Sequence, residues 1–241
     1  MSKYVILSFD DGREDTYTNA YPILKKYGLT CTVNITTDFI ENPLKYKKFG
    51  SASNKAMKIE NIKKISEDGF EIANHSAHHI NTVDDINSAN ASFEKWGINT
   101  AEIGFASPFS YLTKENGKDI LLLLSNNQLS YIRSGIQVRR QTILYKALYL
   151  MYNITHLSML FYFLNKEQII KIPVENRFVK GVSITRYTKV KELRNFIGKM
   201  PDQSAIIFIF HSVLEKEHEG YGADKWFWDK KIFEELSLIH I

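Results

Sequence analysis

Short apolar runs rich in β-branched residues recur along the chain, separated by longer stretches with helical spacing, and this alternation constrains the fold more than any other feature. The strand-like runs are Tyr4 to Phe9, Thr30 to Ile35, Glu71 to Asn74, Ile103 to Ala106, Tyr131 to Ser134, Ile169 to Pro173 and Ile206 to His211, with Val182 to Thr185 as a further short candidate. Helical spacing falls near 15–27, 56–68, 84–97, 114–125, 189–199 and 225–238, and Gly28, Gly69 and Gly97 supply breaks after the first three. Such alternation predicts parallel strands joined by helices, an α/β fold that is either a barrel or a doubly wound sheet. With 241 residues, no internal repeat and no Pro- or Gly-rich linker, one domain over 1–241 is the simpler reading.

Charge excludes some partners. The formal surplus of +4 is small and dispersed, unlike the basic stripe that nucleic acid requires, so no nucleic-acid partner is expected. Cys31 is the only cysteine and lies in an apolar run, which predicts a buried structural thiol and rules out a disulfide within the chain. Met1-Ser2-Lys3 leads at once into the first strand-like run rather than a secretory leader, so the expected location is cytoplasmic.

Three motifs carry chemistry. Ser8-Phe9-Asp10-Asp11-Gly12 closes the first strand with adjacent carboxylates and a glycine that permits a sharp exit. At a strand end in a parallel α/β fold, one such carboxylate can face a metal and its neighbour the attacking water. His75-Ser76-Ala77-His78-His79 follows another strand, and histidines at i and i+4 share one face of a helical turn, leaving His78 outside. Two imidazoles and a carboxylate leave positions open for water and substrate, and suit zinc first, then cobalt, nickel or iron. His211 ends the apolar run Ile206-Ile207-Phe208-Ile209-Phe210, where a general acid is expected.

In order and spacing from residue 4 to residue 213, these motifs resemble the NodB-like polysaccharide deacetylases, carbohydrate esterase family four. The resemblance implies a distorted (β/α) barrel with about seven strands. It implies Asp10 as the catalytic base, Asp11 with His75 and His79 as ligands of one divalent metal, and His211 as the general acid. Phe105-Ala106-Ser107-Pro108-Phe109 departs from the family's Arg-x-Pro pattern by placing Ala106 at the arginine position. That departure is similar to a subgroup with Phe-Ala-x-Pro, which carries its arginine after the next strand; Arg133 in Tyr131-Ile132-Arg133-Ser134 would then orient Asp10. Pro108 and Phe109 would shape the substrate groove, and a backbone N–H near Phe109 would hold the oxyanion. Trp226 and Trp228 are expected as core or groove wall.

The implied reaction removes N-acetyl groups from amino sugars of a glycan, giving acetate and a free amine. Its rivals are a deformylase or deacetylase of a lipid-linked or small amide, and a catalytically silent glycan-binding domain, although the latter would be expected to have lost ligands. Thr142 to Leu164 is apolar and aromatic but interrupted by Lys146, Asn153 and His156, which argues against a membrane span. One or two buried helices covering the barrel are expected there; the competing reading is peripheral contact with the inner membrane through 139–164, beginning at Arg139 and Arg140.

Overall fold

The computed structural model describes residues 2–46, 55–134 and 142–237. Five parallel strands come first: β1 (Lys3–Phe9), β2 (Thr32–Ile35), β3 (Glu71–Asn74), β4 (Phe105–Ala106) and β5 (Ile132–Arg133). They are followed by β6 (Ile170–Lys171), β7 (Phe178–Val179), β8 (Gly181–Ser183) and β9 (Ser204–Phe210). β7 pairs with β5 and β8 pairs with β9, both in parallel, so the segment 178–183 serves the two edges in turn and brings the sheet nearly to closure. Seven parallel staves result, an α/β barrel as expected.

One expected strand is misplaced. The run Ile169 to Pro173 yields β6, which pairs antiparallel with the start of β9 and stands outside the ring of parallel staves. The short candidate at Val182 takes its place, because Gly181 lets the segment pass close to β9: a Cβ there would stand 2.7 Å from Ile209 Cδ1.

The outer layer holds α1 (Tyr21–Lys26), α2 (Thr37–Glu41), α3 (Ile59–Glu67), α4 (Val83–Trp96), α5 (Lys114–Ser125), α6 (Ile143–Thr155), α7 (Ser158–Asn165), α8 (Val190–Lys199) and α9 (Lys230–Ser237). Local signals set the clearest of these. Thr82 caps α4 by accepting from the Asp85 amide, and Gly97 ends it at φ 78°. Thr113 and Asn116 form a reciprocal capping box on α5. The predicted helix at 225–238 begins instead as a strand, β11 (Phe227–Asp229), paired with β10 (Ser212–Leu214). Pairing with Ser212–Leu214 overrides the helical spacing of that stretch until Lys230.

β1 and β9 run in register over seven pairs, from Lys3 with Ser204 to Phe9 with Phe210. Their outward faces meet α9: the Phe9, Phe210 and Phe233 rings lie 5.4–5.7 Å apart, with Trp228 5.4 Å from Phe210. Burying four aromatic side chains fixes the strand pair against its helix. Cys31 is buried in the same core, and burial pushes its thiol pKa well above the ordinary value.

The hairpin α6–α7 is not the buried cover expected of it. Only Tyr152, Phe161 and Leu164 are buried, whereas Ile143, Leu150 and Ile154 of α6 are 87%, 60% and 73% exposed. The inner edge is held to α8: Tyr152 donates to buried Glu192 at 2.7 Å, and Phe161 packs on Phe196. Among the described residues no helix is long and apolar enough to cross a membrane.

Gly104 tests the packing at β4. Its carbonyl accepts from the Asn74 amide, and a Cβ there would run into the Tyr131 ring. Gly104→Ala should destabilise the fold by about 1–3 kcal/mol through overpacking. Urea denaturation followed by circular dichroism measures it; an unchanged midpoint would contradict the close approach.

Candidate active site at the carboxyl ends of the strands

Parallel register brings the strand ends to one rim. Phe9 pairs with Phe210, Ile35 with Asn74, Asn74 with Phe105 and Ala106 with Arg133, so the residues after them face a common space. Asp10 and Asp11, His75 and His79, and His211 all reach that space. The backbone there is unusual: Asp11, Gly12, Ser76, His79, Phe109 and Ser110 all have positive φ. Such conformations concentrate at functional sites because they aim side chains that regular structure cannot.

Asp11, His75 and His79 place one potential ligand atom each within 4.8 Å of one another. His75 Nε2 lies 3.6 Å, and His79 Nε2 3.8 Å, from Asp11 Oδ1. The histidines meet by a route other than the helical turn expected of their spacing. Residues 75–79 are irregular, and left-handed backbone at Ser76 and His79 turns both rings inward. His78 faces away and pairs with Asp85 at 2.7 Å, outside the trio as expected.

The donor set fits a divalent ion. His75 Nδ1 lies 2.7 Å from the Ala106 carbonyl, a partner to which it can only donate, so Nε2 is left as a lone-pair donor. Burial and the neighbouring His75 push the pKa of His79 down to about 4, so its imidazole is neutral and open to a cation at neutral pH. Burial would raise the pKa of Asp11, but Arg13, assisted by His211, His79 and His75, holds it well below the usual carboxylate range. Arg13 grips Asp11 Oδ2 through Nε at 2.9 Å and Nη2 at 2.8 Å, which turns Oδ1 toward the histidines. The chemistry of such a set is that of a catalytic metal centre with three protein ligands.

Asp10 is held separately. Arg133 Nη2 donates to its Oδ1 at 2.5 Å and Asn34 Nδ2 donates to the same oxygen at 2.8 Å, all three side chains being buried. Burial works to raise the Asp10 pKa, but Arg133, His75 and His211 together leave it below its ordinary value, so the group is a carboxylate. Its Oδ2 lies 4.0 Å from His75 Nε2, close enough to share a water with the trio.

His211 completes the rim. Its ring packs against Trp226 with centroids 5.0 Å apart, and burial lowers its pKa against the opposing pull of Asp11 and Asp10. Pro108 is buried beside the site, whereas Phe109 is 73% exposed and sets its ring 4.5 Å from that of His79. Every residue expected at the site is therefore at this rim.

Sequence reasoning missed Arg13, Asn34 and the contact of Trp226 with His211. Asn34 left a signal, being an amide within the apolar run of β2 that also donates to Ser8 Oγ. Arg13 stands two residues from Asp11, but nothing local shows that its side chain turns back to that carboxylate, and its other partner, Ser212, is brought to it only by the fold.

Residues 1–117, just under half of the chain, match the model of the polysaccharide deacetylase family. The match takes in Asp10, Asp11, His75, His79, Pro108 and Phe109, and stops short of Arg133 and His211. YxkH of Bacillus subtilis (strain 168), which carries a polysaccharide deacetylase name, is 32% identical over 78 residues, 32% of this chain and 24% of that protein. The matched segment thus spans about a quarter of that relative. Among solved structures, a family 4 carbohydrate esterase from Streptomyces lividans in complex with acetate aligns over 97% of this chain and 85% of its own, at 11% identity and a TM-score of 0.48. The deacetylase PplD of Streptococcus pyogenes, also in complex with acetate, aligns over 55% of this chain and 56% of its own, at 23% identity and a TM-score of 0.43.

Metal content tests the trio. Equilibrium dialysis against zinc should give one ion per chain, and Asp11→Ala or His79→Ala should weaken binding by about a hundred-fold or more, a three-ligand site having no ligand to spare. Unaltered zinc affinity in both variants would remove the trio from consideration.

Proposed function

We propose that the chain, as one polysaccharide deacetylase domain over 1–241, is a metal-dependent hydrolase that removes N-acetyl groups from amino sugars of a glycan. The observation that carries this reading is the ionised Asp10, held by Arg133 and Asn34 beside the trio of Asp11, His75 and His79, with His211 on the same rim. The family match over 1–117 supports it. A glycan-binding domain without chemistry has no use for a buried, doubly held carboxylate next to a complete ligand set.

Asp11, His75 and His79 would hold the ion, with zinc the first choice for their donor atoms. A divalent ion there supplies Lewis-acid polarisation of an acetyl carbonyl and brings the pKa of water down toward about 7. Asp10 removes a proton from the attacking water, Arg133 and Asn34 fixing the orientation of the carboxylate as it does so. His211 delivers a proton to the departing nitrogen. Trp226 packs against the His211 ring and holds its plane. Acetate and a free amino sugar leave.

Acetate release from N-acetylglucosamine oligomers tests the reaction. Release should stop on chelation and return with zinc, and Asp10→Asn should cut the rate by about 10²–10⁴-fold while zinc stays bound. Full activity in that variant would overturn the role of Asp10; no release from any oligomer by the zinc-loaded protein would overturn the reaction.

The exposed face of α6 favours a second element of the proposal, peripheral contact with a membrane through 139–164. Ile143, Leu150 and Ile154 lie along one side of the helix at spacings of seven and four, all well exposed. Arg139 and Arg140, at the start of that segment, lie outside the described residues. Sedimentation with vesicles of phosphatidylglycerol and phosphatidylcholine should carry the protein down, and Leu150→Glu with Ile154→Glu should leave it in the supernatant. Equal partition of both forms would remove the membrane from the proposal.

A further inference from the structure

The reaction above uses the contact of Trp226 with His211; Trp226 also lines a cleft of about 290 Å³ that the reaction does not use. Trp226 joins the two, since its ring packs on His211 and also lines the cleft. Tyr145, Tyr149 and Tyr152 of α6 form one wall, and Ser183, Thr185 and Thr188, at and beyond the end of β8, form the other. The cleft therefore opens at the catalytic end of the barrel.

Its chemistry is that of a sugar site. The Tyr145 and Tyr149 rings lie within 10° of parallel at 6.3 Å, and aromatic faces of this kind pack against the C–H face of a pyranose. Hydroxyls of Ser183, Thr185 and Thr188 and the amides of Asn153 and Asn165 face the same space, giving the few placed polar groups that orient a ring. The volume stands at the lower end of small-molecule sites, about 300–1,000 Å³, which suits one ring rather than a stretch of chain.

Its charge is one-sided. Lys146 and Lys225 line the cleft, Lys225 with Nζ 4.7 Å from the centre of the Trp226 ring, and no Asp or Glu is among the described lining residues. The nearby Glu192 is buried behind the wall, where it accepts from Tyr152 and lies 3.4 Å from His156. A neutral ring needs no such cations.

We propose that this cleft binds a negatively charged sugar ring, one bearing a carboxylate, as a neighbour in the same strand of the residue being deacetylated. The inference rests on the deacetylase reading for what lies in the adjoining site. Tyr149 takes a ring face, and Lys146 and Lys225 pair with the carboxylate. The hairpin α6–α7 supplies most of the cleft and lies beyond residues 1–117, the region matched by the family model.

Isothermal titration of zinc-loaded Asp10→Asn protein tests it without turnover. The probes are a hyaluronan tetrasaccharide, which alternates N-acetylglucosamine with glucuronate, and the neutral N-acetylglucosamine tetramer. The acidic tetramer should bind about five-fold tighter or better at low salt, the effect of two partly exposed ion pairs. Lys146→Gln with Lys225→Gln should abolish that preference while leaving the neutral tetramer unchanged, and Tyr149→Ala should weaken both. Equal affinities for the two tetramers, or a preference that survives loss of both lysines, would overturn the proposal. Acetate release from neutral oligomers reports separately on the deacetylase reading, so either can fail while the other stands.

Discussion

The seven-pair register between β1 and β9 is the contact on which the site depends. Because Phe9 lies opposite Phe210, the residues that follow each, Asp10 and His211, emerge side by side, and the Asp10 amide donates to the Phe210 carbonyl at 2.9 Å. A slip of one residue would turn every side chain of β1 to the other face. Such a slip would drive Val5, Leu7 and Phe9 into the lumen and pull Phe9 off Phe210 and Phe233. The aromatic packing beneath α9 is thus what holds a carboxylate and an imidazole together at the rim.

Inside the barrel the same register builds a largely apolar floor, open to solvent at Tyr4 and Ile6. Below Arg133 the lumen is an apolar cavity of about 510 Å³ with Tyr4, Ile6, Ile172, Val179 and Ile207 in its walls. Among the described residues Arg133 Nε and Nη1 have no hydrogen-bond partner, while Nη2 donates to Asp10. Low polarity around a charge pair strengthens it, and it also makes loss of either partner costly. The register explains how Arg133 reaches Asp10 from β5. β4 and β5 are paired Ala106 with Arg133, so a long side chain from the neighbouring stave reaches the same carboxylate.

How far the sequence revealed all this depended on range. Asp-Asp-Gly, the histidine cluster and the strand ending in His211 are local patterns, and the barrel supplied the common rim that gave them meaning. α4 and α5 were legible because caps and breaks are written within a few residues of each helix end. β6 and β11 were misjudged because pairing partners decide them: β9 takes Ile170 in antiparallel, and β10 draws Phe227–Asp229 into a strand despite their helical spacing. The helical geometry assumed for His75 and His79 failed for a related reason, since spacing of four reports two residues on one face only where the backbone is helical. Positive φ at Ser76 and His79 reaches a similar juxtaposition by another path.

Two neighbouring carboxylates with separate duties need separate partners, and the fold gives each its own arginine. Arg133 comes from β5 to Asp10, and Arg13, two residues along the chain, comes to Asp11. Without them, two buried like charges in sequence would drive one pKa up and leave a protonated acid where a base or a ligand is required. With them both groups titrate below their ordinary values. Arg13 carries a cost, since a cation bound to Asp11 opposes a second one. Its grip on Oδ2 alone limits that cost by leaving Oδ1 free toward His75 and His79. For the reaction proposed, this gives Asp11 an oxygen that protons do not compete for, and gives Asp10 an orientation fixed independently of Asp11.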